Sequence, residues 1–179
     1  MKKGKYLIVV DMQKDFIDGA LGTGEAQAIV PAACARIREC KDAGYTLIAT
    51  LDTHEENYPE TREGKYLPVP HCVRNTEGWR IRPEVMDALG EDAVFVEKPT
   101  FGSVRLPQII RERSGEDGPE AIELLGLCTD ICVVSNAMLL KAAFPETDFT
   151  VRASCCAGVT PEKHEAALET MRSCQIDIA

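Results

Sequence analysis

No run of apolar residues in this chain is long enough to cross a bilayer, which takes roughly 20 in a helix, so a spanning role is excluded. Basic residues are outnumbered: Lys and Arg total 20 against 29 Asp and Glu, a net charge of −9. That balance offers phosphate backbones no general attraction, so neither a nucleic-acid nor a membrane partner is expected. Gly19, Gly22 and Gly24 are followed by no Lys-Ser/Thr pair, so no phosphate loop is present. The chain has 8 Cys but no Cys-x-x-Cys. Internal repeats, linkers and low-complexity tracts are also missing. The start is basic and then apolar, as in a signal peptide. Yet the apolar run covers only Tyr6 to Val10, ends at Asp11 and has no small-residue cleavage site. The expectation is a cytoplasmic protein with reduced cysteines.

What the chain does have is a steady alternation of short β-branched runs and helical patterns. At 179 residues, 45% hydrophobic and 27% charged, it suits one globular domain, residues 1–179. Strands are predicted at Tyr6–Val10, Tyr45–Leu51, Ala93–Val96, Ala121–Leu127 and Asp148–Val151, with a short edge strand over Gln175–Ile178. Helices are predicted from about Gln27 to Ala43, Pro83 to Leu89, Leu106 to Arg113, Ile131 to Ala143, and Thr160 to Ser173. Thr160, Pro161 and Glu162 make a good helix start. Such alternation implies a three-layer α/β/α domain around a mainly parallel, Rossmann-like sheet of five to six strands. Sites in such sheets lie outside the carboxyl ends of the strands. Asp11, Asp52 with His54, Lys98, and Thr129 to Cys132 all fall there. The long irregular stretch from His54 to Gly78 reads as a functional loop.

Three constellations can carry chemistry. In Gly126-Leu127-Cys128-Thr129-Asp130-Ile131-Cys132-Val133 a strand ends and a helix begins with a thiol in its first turn. Unpaired backbone N–H groups there stabilise an anion, which lowers a thiol pKa or holds an oxyanion. The competing reading is a buried, inert Cys132. Asp11 and Lys98 come next. A Lys beside the thiol favours the thiolate, and an Asp accepts its proton; a structural ion pair is the competing reading. The third is Asp52, His54 and His71, with Glu60 and Glu63 between them. The chain has only three His, and a carboxylate with imidazoles suits Zn, Fe or Mn. A merely polar surface loop would look similar. His164, in a polar helical turn, reads as structural or exposed.

In order along the chain, Val10-Asp11-Met12-Gln13 with Asp15-Phe16, Asp52-Thr53-His54, Pro70-His71-Cys72, Glu97-Lys98 and Gly126-x-x-Thr129-Asp130-x-Cys132-Val133 resemble the isochorismatase-like cysteine hydrolases, nicotinamidases in particular. The resemblance runs from about Leu7 to Ile176. It implies a nucleophile at Cys132, a base at Asp11 and a third member at Lys98. It implies a cis peptide at Leu127–Cys128 and an oxyanion hole from the backbone N–H groups of Cys128 and Cys132. It further implies one divalent metal ion, Zn first, with Fe or Mn as alternatives. The ligands carry onto Asp52, His54 and His71, with Glu63 fourth by its spacing and Glu60 second choice. The resemblance gives a small-molecule amide as substrate, nicotinamide first, and a homo-oligomer, dimer or tetramer. Leu67-Pro68-Val69-Pro70 stands where an aromatic wall usually precedes the last His; Phe16, Phe101 and Trp79 are the candidate substrate-binding aromatics. Two alternatives stay open: another small amide, carbamoyl compound or vinyl ether as substrate, or a non-hydrolytic thiol redox or metal-binding protein. Cys128, Cys132 and the Cys155-Cys156 pair motivate the latter.

Overall fold

Strand β1 spans Lys5–Val10, β2 Thr46–Asp52, β3 Val94–Lys98, β4 Ala121–Leu127, β5 Asp148–Ala157 and β6 Asp177–Ile178. The structure, a computed structural model, describes residues 4–115 and 117–179. The strands form one parallel sheet in the order β3-β2-β1-β4-β5-β6. Parallel neighbours need long crossovers, and helices supply them. These are α1 (Lys14–Ile17), α2 (Gly24–Ala28), α3 (Val30–Asp42), α4 (Arg62–Tyr66), α5 (Pro83–Leu89), α6 (Arg105–Ser114), α7 (Val134–Ala143) and α8 (Pro161–Ser173). Helix α3 packs on α5, while α6, α7 and α8 contact one another in series. The central strands are buried: Leu7, Ile8, Val10, Ile48 and Leu124 have no exposed surface. This is the layered α/β architecture that the alternation implied.

The order reverses at β1. The chain first builds outward to β2 and β3, then returns to β4 on the other side. A crevice opens at such a reversal, beyond the carboxyl ends of β1 and β4. Register then levels the polar strand ends: Val10 lies beside Thr50 and Gly126, and Asp52 beside Lys98. Gly126 takes φ of +123°, and a Cβ there would collide with the Val10 carbonyl, so only glycine lets β1 and β4 approach this closely.

Four elements differ from expectation. The helix expected over 27–43 is two helices, α2 and α3. Pro31 has no N–H and its ring opposes the preceding turn, so the chain breaks at Ile29 and restarts. The stretch 54–78 is not structureless. It holds a 3₁₀ turn at Tyr58–Glu60, and α4, whose N-cap Thr61 accepts a bond from the Gly64 N–H. Strand β5 runs on to Ala157 because Arg152 is neutralised by buried Glu123 of β4, which also pairs with Arg36 of α3. Finally, a wide π-type turn over Thr129–Val133 precedes α7, with the N–H groups of Ile131 and Val133 both donating to the Cys128 carbonyl. Among the described residues no helix is long and apolar enough to cross a membrane.

Candidate active site

Asp11, Lys98 and Cys132 come from three separate strand ends and meet beneath the crevice. Asp11 directly follows β1 with φ of +47°, a left-handed conformation that Asp tolerates better than most residues. The Thr50 hydroxyl donates to its Oδ1 at 2.6 Å, and its own N–H donates to the Thr50 carbonyl at 3.2 Å. Lys98, at the end of β3, is fully buried with Nζ 2.7 Å from Asp11 Oδ2, 3.2 Å from Asp52 Oδ1 and 3.6 Å from Cys132 Sγ. It also donates to the Thr100 carbonyl at 3.0 Å. The 2.7 Å contact is one of charge rather than an aligned hydrogen bond, since Asp11 Oδ2 has no hydrogen-bond donor among the described residues. That leaves this oxygen free to take a proton.

The electrostatics of the three follow from burial. Burial pushes Asp11 above the ordinary carboxylate range, against the pull of Lys98; the Asp52 charge adds to the rise. Burial alone would lower Lys98, but Asp11, Cys132 and Asp52 outweigh it and hold the ammonium charged. Burial also raises Cys132 well above an ordinary thiol. The Asp11 charge adds to this, against the pull of Lys98. The lowered thiol pKa expected from a helix start is therefore not what the structure supports. Desolvation and the Asp11 charge outweigh Lys98. The group rests as a neutral thiol beside a carboxylate of raised basicity, with the ammonium balancing the charge.

A second cluster lies next to the first. Asp52 Oδ2 is 3.1 Å from His54 Nε2 and 3.5 Å from His71 Nε2, and Glu63 Oε1 is 3.6 and 3.8 Å from the same two nitrogens. All four donor atoms lie within 4.8 Å of one another. Ligands about 2.0–2.1 Å from a tetrahedral ion stand roughly 3.3–3.4 Å apart, so the spacing fits a first-row dication. His71 Nδ1 is 2.8 Å from the Val69 carbonyl, which fixes the proton there and leaves Nε2 as a ligand. Burial opposes ionisation of Asp52, but hydrogen bonds from His54 and His71 and the Lys98 charge win and keep it below the carboxylate range. Burial and the Asp52 charge raise Glu63. Glu60 is exposed and outside the cluster. Tyr58, fully buried, packs its ring 4.6 Å from His54 and 5.1 Å from His71.

One cavity of about 300 Å³ is lined by both groups: Cys132 from the first, Asp52, Glu63 and His71 from the second. Phe16, Phe101, Leu67 and Cys128 complete much of its wall. The Leu127–Cys128 peptide is cis. Trp79 is the correction among the aromatics. It does not line this cavity; its indole N–H donates to Thr53 Oγ1 at 2.9 Å, and it faces a separate groove beside Phe95. His164 is half-buried with Nδ1 2.8 Å from the Thr129 hydroxyl, a structural tie. All eight cysteines are free, and Cys155 and Cys156 are buried away from the cavity.

The composition and spacing of the chain gave no role to Thr50, Gln13 or Asn136. Gln13 is buried and pairs like a strand with Asp52. Its Nε2 donates to the Asp52 carbonyl at 2.8 Å, and its Oε1 accepts the Asp52 N–H at 2.7 Å. Asn136 donates to the Cys132 and Phe101 carbonyls and accepts the Ser103 N–H, joining the thiol's turn to the Phe101 loop. A polar residue amid an apolar run, as Thr50 is in β2, was the one available signal.

The family model of the isochorismatase domain matches residues 5–179. The chain belongs to the isochorismatase family. It is 27% identical over 185 residues to a nicotinamidase/pyrazinamidase of Mycobacterium tuberculosis, covering 97% of each chain. It is 32% identical over 149 residues to an isochorismatase family protein of Bacillus subtilis, covering 75% of this chain and 76% of that one. A crystal structure of Pyrococcus horikoshii pyrazinamidase in complex with zinc superposes with a TM-score of 0.84 at 33% identity, covering 98% of each chain. The chain is an enzyme of the amidohydrolase type.

Proposed function

We propose that the chain hydrolyses the carboxamide of a small aromatic amide, nicotinamide first, to the carboxylate and ammonia through a Cys132 thioester. The observation that carries this is the single cavity shared by the Cys132 thiol and the Asp52, Glu63, His71 cluster. Relatives acting on nicotinamide or pyrazinamide support it.

Asp11 takes the thiol proton as Cys132 Sγ bonds to the amide carbon and the carbonyl π pair moves onto oxygen. Backbone N–H groups of Cys128 and Cys132 receive that oxyanion, each such donor contributing about 3–4 kcal/mol in known cases. The tetrahedral centre collapses, the C–N bond breaks, and Asp11 returns its proton to the leaving nitrogen. Water then attacks the thioester with Asp11 again as proton acceptor. Collapse expels the thiolate, which regains the proton. The raised basicity of Asp11 makes it a better acceptor for the thiol proton than an ordinary carboxylate. Lys98 stays charged throughout and stabilises the sulfur anion.

Asp52, His54, Glu63 and His71 would hold one divalent ion, zinc first. When bound it supplies a Lewis-acid contact for a ring nitrogen and so orients the amide. Phe16 and Phe101 flank the ring. Leu67 in the wall favours, as a second reading, a different small amide of aliphatic character. Of the cysteines that motivate the redox reading, Cys155 and Cys156 do not line the cavity, while Cys128 and Cys132 do. Ammonia release from nicotinamide, pyrazinamide and aliphatic amides, with and without chelator, tests the assignment. Equal turnover of nicotinamide by zinc-free and zinc-loaded protein would overturn the metal role; no amide turned over would overturn the function.

A further inference from the structure

Asp15 lies outside both groups, yet its carboxylate is tied to the metal-type cluster. Its Oδ2 accepts the Cys72 N–H at 2.8 Å across 57 residues of chain, and its Oδ1 accepts the Ala20 N–H at 3.2 Å. Cys72 is fully buried with φ of +45°, an uncommon conformation for a side-chain-bearing residue. It sits next to His71 in the chain, and its carbonyl accepts the His54 N–H at 3.0 Å. Cys72 is thus a clasp between both imidazoles, and such a backbone conformation persists only where its surroundings hold it. Asp15 is the side chain that holds it. Two further observations fit. Gly78 leaves room for this carboxylate, which a Cβ at 78 would strike, and the Asp15 N–H is anchored on the Gly78 carbonyl at 3.0 Å. Phe16, the next residue, sets its ring edge-on to His71 with centroids 5.5 Å apart.

We propose that Asp15 is a positioning residue of the metal site: through the Cys72 N–H it fixes His71 and His54 in ligand geometry. This rests on the metal reading given above and deepens it. Outer partners of ligands commonly set metal affinity by factors of about 10–100. The bond from Asp15 acts on the backbone of the ligand loop, so its loss should spread the imidazoles without touching Asp11, Lys98 or Cys132.

The test is zinc titration of apo-protein against a chromogenic chelator, with iodoacetamide labelling of Cys132 as an independent report on the triad. Asp15→Ala should weaken zinc binding about 10–100-fold, while Asp15→Asn, which keeps one acceptor oxygen for Cys72, should stay within about threefold of wild type. Gly78→Ala should act like Asp15→Ala by displacing the carboxylate, and it decides the matter if Asp15→Ala does not fold. Labelling of Cys132 should change by less than about twofold in each variant. Zinc affinity equal to wild type in Asp15→Ala, or in Gly78→Ala where that variant decides, would overturn the proposal. So would a parallel change in labelling, the mark of general loosening. Wild-type protein that binds no zinc would overturn the metal reading and this proposal with it; tight wild-type binding that ignores Asp15 would overturn only the latter.

Discussion

Replacing Lys98 by Met removes the ammonium that sits between Asp11, Asp52 and the Cys132 thiol while keeping most of the side-chain volume. The consequences follow from the distances. At an effective dielectric of about 20, opposite unit charges 2.7 Å apart, as Nζ and Asp11 Oδ2 are, attract by about 6 kcal/mol. Desolvation offsets much of that, and breaking a buried pair from one side typically costs about 3–5 kcal/mol. The cost must depend on pH. Lys98 pulls the Asp11 pKa down, so the variant's Asp11 rises further than the wild type's. A carboxyl whose folded pKa is raised contributes stability at low pH that is lost as pH rises through that pKa. Between the two folded values the variant carries a proton that the wild type lacks. The gap in stability therefore widens with pH across that window, with a limiting slope of about 1.4 kcal/mol per pH unit for one proton. Urea unfolding of metal-free wild type and Lys98→Met at pH 5.5 and pH 8 measures it. The variant should be closest to wild type at the lower pH. A gap below about 1 kcal/mol at pH 8, or one that is the same at both values, would refute the assignment of a desolvated pair.

Cys132→Ala should lose turnover by a factor of about 10³ or more while binding zinc as tightly as wild type, checked by single-turnover kinetics and chelator competition. Residual thioester-independent turnover near the wild-type rate would show that sulfur is not the nucleophile. Glu63→Ala should weaken zinc binding and Glu60→Ala should leave it unchanged, because of these two glutamates Glu63 is the one with an oxygen within reach of both imidazoles. Gly126→Ala should destabilise the fold by about 2–4 kcal/mol, from a positive φ and a Cβ against the Val10 carbonyl, read by thermal or urea unfolding. His54→Ala should abolish activity on a pyridine amide yet leave Cys132 open to iodoacetamide, since the ring contact and the thiol chemistry are separate.

How much of this was legible beforehand depends on the range over which each feature is determined. The strands could be read because a buried parallel strand is apolar along nearly its whole length, as Leu7 to Val10 is and as Ala121 to Leu127 is but for Glu123. The polar strand ends could be read because such sheets leave those ends open. The strand order could not, since nothing local states that β4 returns to the far side of β1. The pattern of β5 ends at Val151 because Arg152 and Ser154 break it, and the partner that neutralises Arg152 lies on another strand. Residue type alone makes Trp79 a candidate for the cavity wall, while its direction is set by Thr53 and by the 78–80 segment pairing with α1.

Apart from Thr50, whose hydroxyl meets the Asp11 carboxylate, the residues that escaped reading share one property: each bonds to backbone rather than to another side chain's charge. Gln13 clamps the main chain of Asp52, Asp15 that of Cys72, and Asn136 that of Cys132 and Phe101. A backbone amide is the same at every position, so composition and spacing carry no trace of such a partner, whereas a carboxylate, an imidazole and a thiol advertise one another by type. Two of the three lie within the same short turn that begins at Asp11. That turn supplies the proton acceptor through Asp11, the Asp52 backbone clamp through Gln13, the Cys72 clasp through Asp15 and a cavity wall through Phe16. A shift of this segment would move the base and both metal-side supports together. The few residues after β1 are therefore where thiol chemistry and metal geometry are kept in register, and substitutions there should disturb both at once unless, like Asp15→Ala, they cut a single one of these bonds.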